Sequence, residues 1–350
     1  MSVRYGWLDH PDERKVHQIP TPWTGGLGIG LPFLGFTLAW SGLPFPIWIG
    51  AMAIMLLGFI DDLKSIPAKL RLLIQCWVLG ACFFAIDLKV GALGHLFGTG
   101  SMKLLWFAWP FTLLAGCGVV NSINLMDGVD GLAGGLVLIT LMGLAAAYAM
   151  SGYPIPDSIL FMAVGLISFL ILNARYPGHP VASVYLGDSG SYLLGFLLVF
   201  WIFSAISGED PVLRPIEGAW LLAFPVVHTI QLMVQRSLRG TAPMKGGRDH
   251  LHYFLIDRRD WSHAKVTQVF LMIQILLVAV GVLGHEFGMA EESLFLGILM
   301  LIPLHLVWTA WAIRGRCSQG LSQDCAQCLV KGSLEKPECG NSQPTQEGRH

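Results

Sequence analysis

Along its 350 residues the chain alternates long apolar blocks with short polar joints. Most blocks approach the roughly 20 residues that a helix needs to cross a bilayer. They predict ten helices, at about Gly26–Trp40, Ile47–Ile60, Leu70–Ile86, Leu104–Val120, Leu132–Met150, Ile159–Leu172, Leu193–Ile206, Trp220–Val234, Val266–Leu283 and Leu294–Ile313. A soluble chain with this pattern would need buried helices nearly everywhere. The expected fold is therefore all-α, a polytopic integral membrane protein. Residues 1–25 form a polar N-terminal segment, 26–313 the transmembrane domain, and 314–350 a polar tail expected to be disordered.

Composition agrees: 54% of residues are hydrophobic and 13% charged, against about 25% charged in ordinary soluble proteins. Basic residues accumulate on the cytoplasmic side of membrane proteins. With the N-terminus inside, only Lys89, Lys103 and Arg214 of the 22 Lys and Arg fall in outside loops. Both termini are therefore expected in the cytoplasm. The charged opening RYGWLDHPDERKVH is not the apolar core of a cleavable signal peptide. A net charge of −1, without a basic stretch that interleaves with aromatics, argues against a nucleic-acid partner. No internal repeat of the kind common in secondary transporters is evident. Four of the seven cysteines (Cys317, Cys325, Cys328, Cys339) lie in the tail, with spacing too loose to specify a zinc site.

The candidate chemistry lies in the inside loops. Asp61 and Asp62 end the apolar run LLGFIDD, where a helix C-terminus disfavours anions. A metal ion or a cation such as Lys64 or Lys69 would relieve them. In NSINLMDGVDGL the side chains of Asn121, Asn124, Asp127 and Asp130 recur every third residue, which brings neighbouring pairs toward one face of a helical stretch. Their oxygens are the hard ligands that magnesium takes. The glycine-rich GDSGS, with Asp188, precedes a helix expected to start near Tyr192 and offers backbone N–H groups to an anion. His250 and His252 are two apart, so both reach one ligand from an extended segment but not from one helix face. Arg248 beside them suits a phosphate. The outside loops carry no comparable constellation, so the reactive face is expected on the cytoplasmic side.

Taken in order, DD, NxxNxxDGxDGL, GDSGS and HxH resemble the polyprenyl-phosphate N-acetylhexosamine-1-phosphate transferase family. RKxH…PTPxxGG (Arg14, Lys15, His17, Pro20 to Pro22, Gly25, Gly26) and IPxKxR (Ile66, Pro67, Lys69, Arg71) add to the likeness, which runs from about Asp9 to Arg314. The resemblance implies transfer of a sugar-1-phosphate from a UDP-N-acetyl sugar to undecaprenyl phosphate, with release of UMP, at the cytoplasmic face of the bacterial inner membrane. It implies Mg²⁺, with Mn²⁺ as the alternative, held by Asp188 and Asn124. Asp61 or Asp62 would orient or deprotonate the lipid phosphate. Asp130 would contact uracil, and Arg248, His250 and His252 the phosphates or sugar. Asn121, Asp127 and Lys69 complete the expected substrate-binding set. Besides the two substrates and the bilayer, a second copy of the chain is a candidate partner.

Within the family, RKxH and RDHLHYF resemble the branch that uses UDP-N-acetylglucosamine. The phospho-N-acetylmuramoyl-pentapeptide branch typically carries three consecutive histidines, here interrupted by Leu251, and is the runner-up. Three departures stand out: this sequence starts without the helix usual before RKxH in that branch, Tyr253 stands where histidine is common, and His228 where aspartate is common. An ion-coupled transporter would instead place its acids near helix midpoints. A prenyl synthase would require DDxxD, which Asp61-Asp62-Leu63-Lys64-Ser65 lacks.

Overall fold

In the computed structural model, residues 6–9, 20–40, 43–241, 247 and 249–314 are described. The chain enters through a short antiparallel pairing of β1 (Leu8–Asp9) with β2 (Thr21–Pro22). Helices α1 (Gly25–Ala39), α2 (Phe45–Lys64), α3 (Ala68–Ala85), α4 (Ala108–Met126), α5 (Leu132–Met150) and α6 (Asp157–Asn173) follow. The second half holds α7 (Gly187–Ile206), α8 (Pro215–Leu221), α9 (Ala223–Leu238), α10 (Leu251–Arg259), α11 (His263–Glu286) and α12 (Glu291–Ile313).

Among the described residues, seven helices are long and apolar enough to cross a membrane. These are α2, α3, α4 with its preceding turn, α5, α7, α11 and α12. The α8–α9 pair passes the same test only when its two bent halves are taken together, and α1 and α6 are shorter apolar helices. Each of the ten expected segments thus has its counterpart, and the protein is a multi-pass membrane protein. Trp77, Leu114, Met142, Val164, Leu276 and Met300 stand largely exposed around the bundle, as side chains that face lipid tails do.

At the centre stands α7, apolar around its whole circumference and almost wholly buried. It packs on α1, α2 and α4. Small residues make the approach possible: a Cβ on Gly26 would meet the backbone of Gly190 at 2.2 Å, and one on Gly58 the carbonyl of Asp188 at 2.3 Å. Close backbone contact through small residues is how helices pack where lipid removes the hydrophobic drive.

Three sequence expectations need correction. The helix expected at Leu193–Ile206 begins at Gly187, so GDSGS is its first turn rather than a loop before it. The expected Trp220–Val234 helix is bent by 78° between α8 and α9. Pro225 has no N–H to give the Leu221 carbonyl, which instead accepts from Gln274 Nε2 at 2.8 Å. The third is α10, which the pattern did not predict. His250 is extended and caps it, but His252 lies in its first turn.

Candidate active site

The C-termini of α2 and α4, the N-terminus of α7 and the start of α10 meet at one end of the bundle. They line a cleft of about 570 Å³ that holds Asp62, Asn124, Asp127, Asp130, Asp188, His250 and His252. Four carboxylates and two imidazoles thus converge from four separate parts of the chain.

The adjacent aspartates of α2 take different roles. Asp62 turns its two oxygens to the start of α7, where Oδ1 accepts the Asp188 N–H at 2.9 Å and Oδ2 the Ser189 N–H at 3.1 Å. The Gly187 N–H goes to Asp127. The first N–H groups of a helix have no partner within it and carry its positive partial charge. Here two carboxylates satisfy them, so these groups are not presented to an incoming anion as the GDSGS motif suggested. Gly187 has φ +74°, and a Cβ there would meet the Trp23 carbonyl at 2.6 Å and Asp62 Oδ2 at 2.9 Å, so only glycine fits.

Asp61 points away from the cleft and is buried. Its Oδ1 accepts the Ile66 N–H at 2.6 Å, and its Oδ2 the Tyr192 hydroxyl at 2.7 Å and Arg71 Nη1 at 3.2 Å. The cation that answers the acid pair is therefore Arg71, not Lys64 or Lys69, both of which are exposed. Lys69 does not line the cleft. IPxKxR holds both candidates; only the fold shows which one turns inward.

The NxxNxxDGxD run also divides. Asn121 is buried against α3, donating to Gln75 Oε1 at 2.8 Å and to its own Cys117 carbonyl, and it does not reach the cleft. Asn124 donates to Asp188 Oδ1 at 2.6 Å and to Ser191 Oγ at 3.0 Å. Past the end of α4 the spacing stops tracking a helix face. Asp127 is its C-cap, and Asp130 lies beyond a turn, in an ion pair with Arg175 Nε at 2.6 Å. Burial first, then the charges of Asp188, Asp62 and Asp130, push the Asp127 carboxyl well above the ordinary carboxylate range. Such crowding of hard oxygen donors suits a divalent cation.

Opposite the carboxylates, the His250 and His252 rings lie 5.0 Å apart. A Cβ on Gly128 would meet Tyr253 Oη at 2.8 Å and His252 Nε2 at 2.9 Å, so this glycine lets α10 close on the DGxDG turn. Arg236 grips Asp249 with Nε and Nη2 at 2.8 and 2.6 Å, which anchors the residue before His250 to α9. Burial lowers the His250 pKa to about 4, with Asp249 opposing the shift. Arg248 and the RKxH residues Arg14, Lys15 and His17 lie outside the described residues. Trp23, Asn173, Arg175 and Tyr185 also line the cleft. No motif singled them out, although PTPxxGG and the lone inside Arg175 were the available signals.

Comparison with known proteins bears on this arrangement. Residues 45–206, which hold the acid pair, the NxxNxxDGxD run and GDSGS, match the family described as glycosyl transferase family 4. Full-length relatives carry the likeness further. An undecaprenyl-phosphate alpha-N-acetylglucosaminyl 1-phosphate transferase of Yersinia pestis is 28% identical over 321 residues, 89% of this chain and 87% of that protein. The protein of the same description from Escherichia coli K12 is 27% identical over 306 residues, 86% and 83% of the two chains. A probable undecaprenyl-phosphate N-acetylglucosaminyl 1-phosphate transferase of Bacillus subtilis is 29% identical over 312 residues, 88% and 85%. The likeness to these relatives therefore extends beyond the matched stretch and spans α10.

Proposed function

We propose that the cleft transfers N-acetylglucosamine-1-phosphate from its UDP-sugar to undecaprenyl phosphate, releasing UMP. The observation that carries this reading is the convergence of Asp62, Asp127, Asp130 and Asp188 on one cleft at a bundle end. Beside it lies an apolar groove of about 420 Å³ between α1 and α6. The two adjoin along the backbone: Trp23 and Tyr185 line the cleft, while their neighbours Thr24 and Val184 line the groove. A polar head in the cleft and a prenyl chain in the groove would use both. The basic-residue bias supports a cytoplasmic position for this end, and this reading implies a bacterial inner membrane.

In this reaction a phosphate oxygen of the lipid attacks the β-phosphorus of the UDP-sugar, and the bond from that phosphorus to the bridging oxygen breaks as UMP leaves. The residues fit a magnesium ion, with Asp188 and Asp127 offering carboxylate oxygens and Asn124 orienting Asp188. When bound, the ion supplies charge neutralisation on the pyrophosphate. Asp62 is the member of the acid pair that faces substrate, and its work is positional: it fixes Asp188 through the α7 backbone. A strong base is not required, because a phosphate with a second pKa near 6 is mostly dianionic at neutral pH. Asp130, steadied by Arg175, is set to receive the nucleoside base, and His250 and His252 face the phosphates or sugar.

The test is direct. Purified protein in detergent is given undecaprenyl phosphate, Mg²⁺ or Mn²⁺ and a panel of UDP-N-acetyl sugars, including the muramoyl-pentapeptide, with UMP and lipid-linked sugar followed together. Metal-dependent product with UDP-N-acetylglucosamine, lost in Asp188→Asn, supports the reading. Product only with the muramoyl-pentapeptide moves the chain to the other branch, and no product from folded protein overturns the proposal.

A further inference from the structure

Behind the cleft, His228 of α9 completes a cluster with His250 and His252. One ring nitrogen from each of the three lies within 4.8 Å of the others, and all three side chains are buried. The His228 ring is nearly parallel to both partners, at 5.8 Å from each. His228 was noted in the sequence only as a departure from an expected aspartate.

The hydrogen-bond network assigns a tautomer to His228. The Thr309 hydroxyl donates its one proton to the His305 carbonyl at 2.9 Å. Toward His305 Nδ1, at 3.4 Å, that oxygen must therefore accept, so Nδ1 carries the ring proton. His305 Nε2 is then bare and accepts from His228 Nδ1 at 3.3 Å. His228 Nε2 is left with a lone pair and no proton. It is buried and has no hydrogen-bond partner among the described residues; the same holds for His250 Nδ1. A bare nitrogen attracts a cation. Three imidazoles, with a histidine behind one to set its tautomer, match the way proteins hold transition metals.

We infer that His228, His250 and His252 form a binding site for a zinc-class divalent ion, separate from the carboxylate cluster. Imidazole donors favour zinc, cobalt or nickel over magnesium. Tetrahedral bonds of about 2.1 Å require nitrogens roughly 3.4 Å apart, so ring movements that shorten the present separations, which reach up to 4.8 Å, by at most about 1.4 Å close the cage. His250 and His252 line the cleft and His228 does not, so an ion held by the three would sit at the cleft wall. The inference stands on these side chains and holds whatever reaction the cleft performs.

The test uses the full chain carrying Ser at Cys317, Cys325, Cys328 and Cys339, which removes the tail thiols as ligands, purified without a histidine tag. After chelator treatment it is titrated with Co²⁺ and Zn²⁺. The expected result is about one zinc per chain, with the visible absorption of tetrahedral cobalt on nitrogen ligands. Both should vanish in His228→Asn and persist in Asp188→Asn. His305→Gln, which acts through His228, should weaken zinc about 10- to 100-fold without abolishing the cobalt band. If His228→Asn does not fold, His252→Gln makes the same comparison. No stoichiometric zinc in the parent chain, or binding that survives loss of a cluster histidine, overturns the inference.

Discussion

Asp62 holds Asp188 in place by capping the helix that carries it: the Asp188 N–H meets Asp62 Oδ1 at 2.9 Å, and the next N–H meets Oδ2 at 3.1 Å. The acid at the end of one helix serves the start of another. This resolves why a chain would place two carboxylates at a helix C-terminus, where the dipole opposes them.

Asp62→Asn leaves one oxygen for two donors and sets its amide against a backbone N–H. We expect a loss of about 1–2 kcal/mol in stability, the usual scale for a lost cap, and a fall in turnover of at least about a hundredfold as Asp188 shifts. Melting in detergent and single-turnover transfer, measured on the same preparation, check both. Turnover within a few-fold of the parent would show that Asp188 does not depend on its cap.

Arg71 and Lys69 should separate cleanly. Arg71→Ala strips a buried carboxylate of its cation and should cost about 3 kcal/mol, whereas Lys69→Ala, at an exposed position, should change stability by less than about 0.5 kcal/mol. Tyr192→Phe removes a buried hydroxyl from the same carboxylate, at a cost of about 1–3 kcal/mol. Chemical or thermal unfolding reads all three. If Lys69→Ala abolishes transfer with no loss of stability, the residue binds substrate in a state with a different loop position.

Asp188→Asn should lower turnover more than a hundredfold and raise the magnesium concentration needed for half-maximal rate, since an amide is a poorer ligand for a hard cation. Asn124→Ala should give a milder version of the same change, because it frees the carboxylate without removing it. Magnesium titrations of the initial rate distinguish the two. Equal defects in both variants would make Asn124 a ligand in its own right.

Acid should loosen the α9–α10 junction in chelator-treated protein. His250 ionises at about 4 when folded and near 6.5 when unfolded. Between those values the unfolded chain binds the extra proton, so stability falls as pH drops below about 6.5, by up to about 1.4 kcal/mol per pH unit, and levels off below about 4. Asp249, gripped by Arg236 and held below the usual carboxylate range despite its burial, loses its contribution on the same acid side. Melting temperature against pH, compared with His250→Asn, should show the shallower slope in the variant.

The linear pattern determined the number and placement of the apolar segments, because crossing a bilayer imposes a length and a composition that any window reveals. It also located the acids, since a carboxylate beside an apolar run is conspicuous wherever it points. Which acid faces the cleft was decided in three dimensions. Asp61 and Asp62 are adjacent in sequence but differ by about 100° around a helix, so one meets Arg71 and Tyr192 and the other the start of α7. The burial of Asn121 against Gln75 and the meeting of His228 with two histidines on another element rest on partners far along the chain. Spacing within one segment carries no information about those partners; only the packing of helices brings them together.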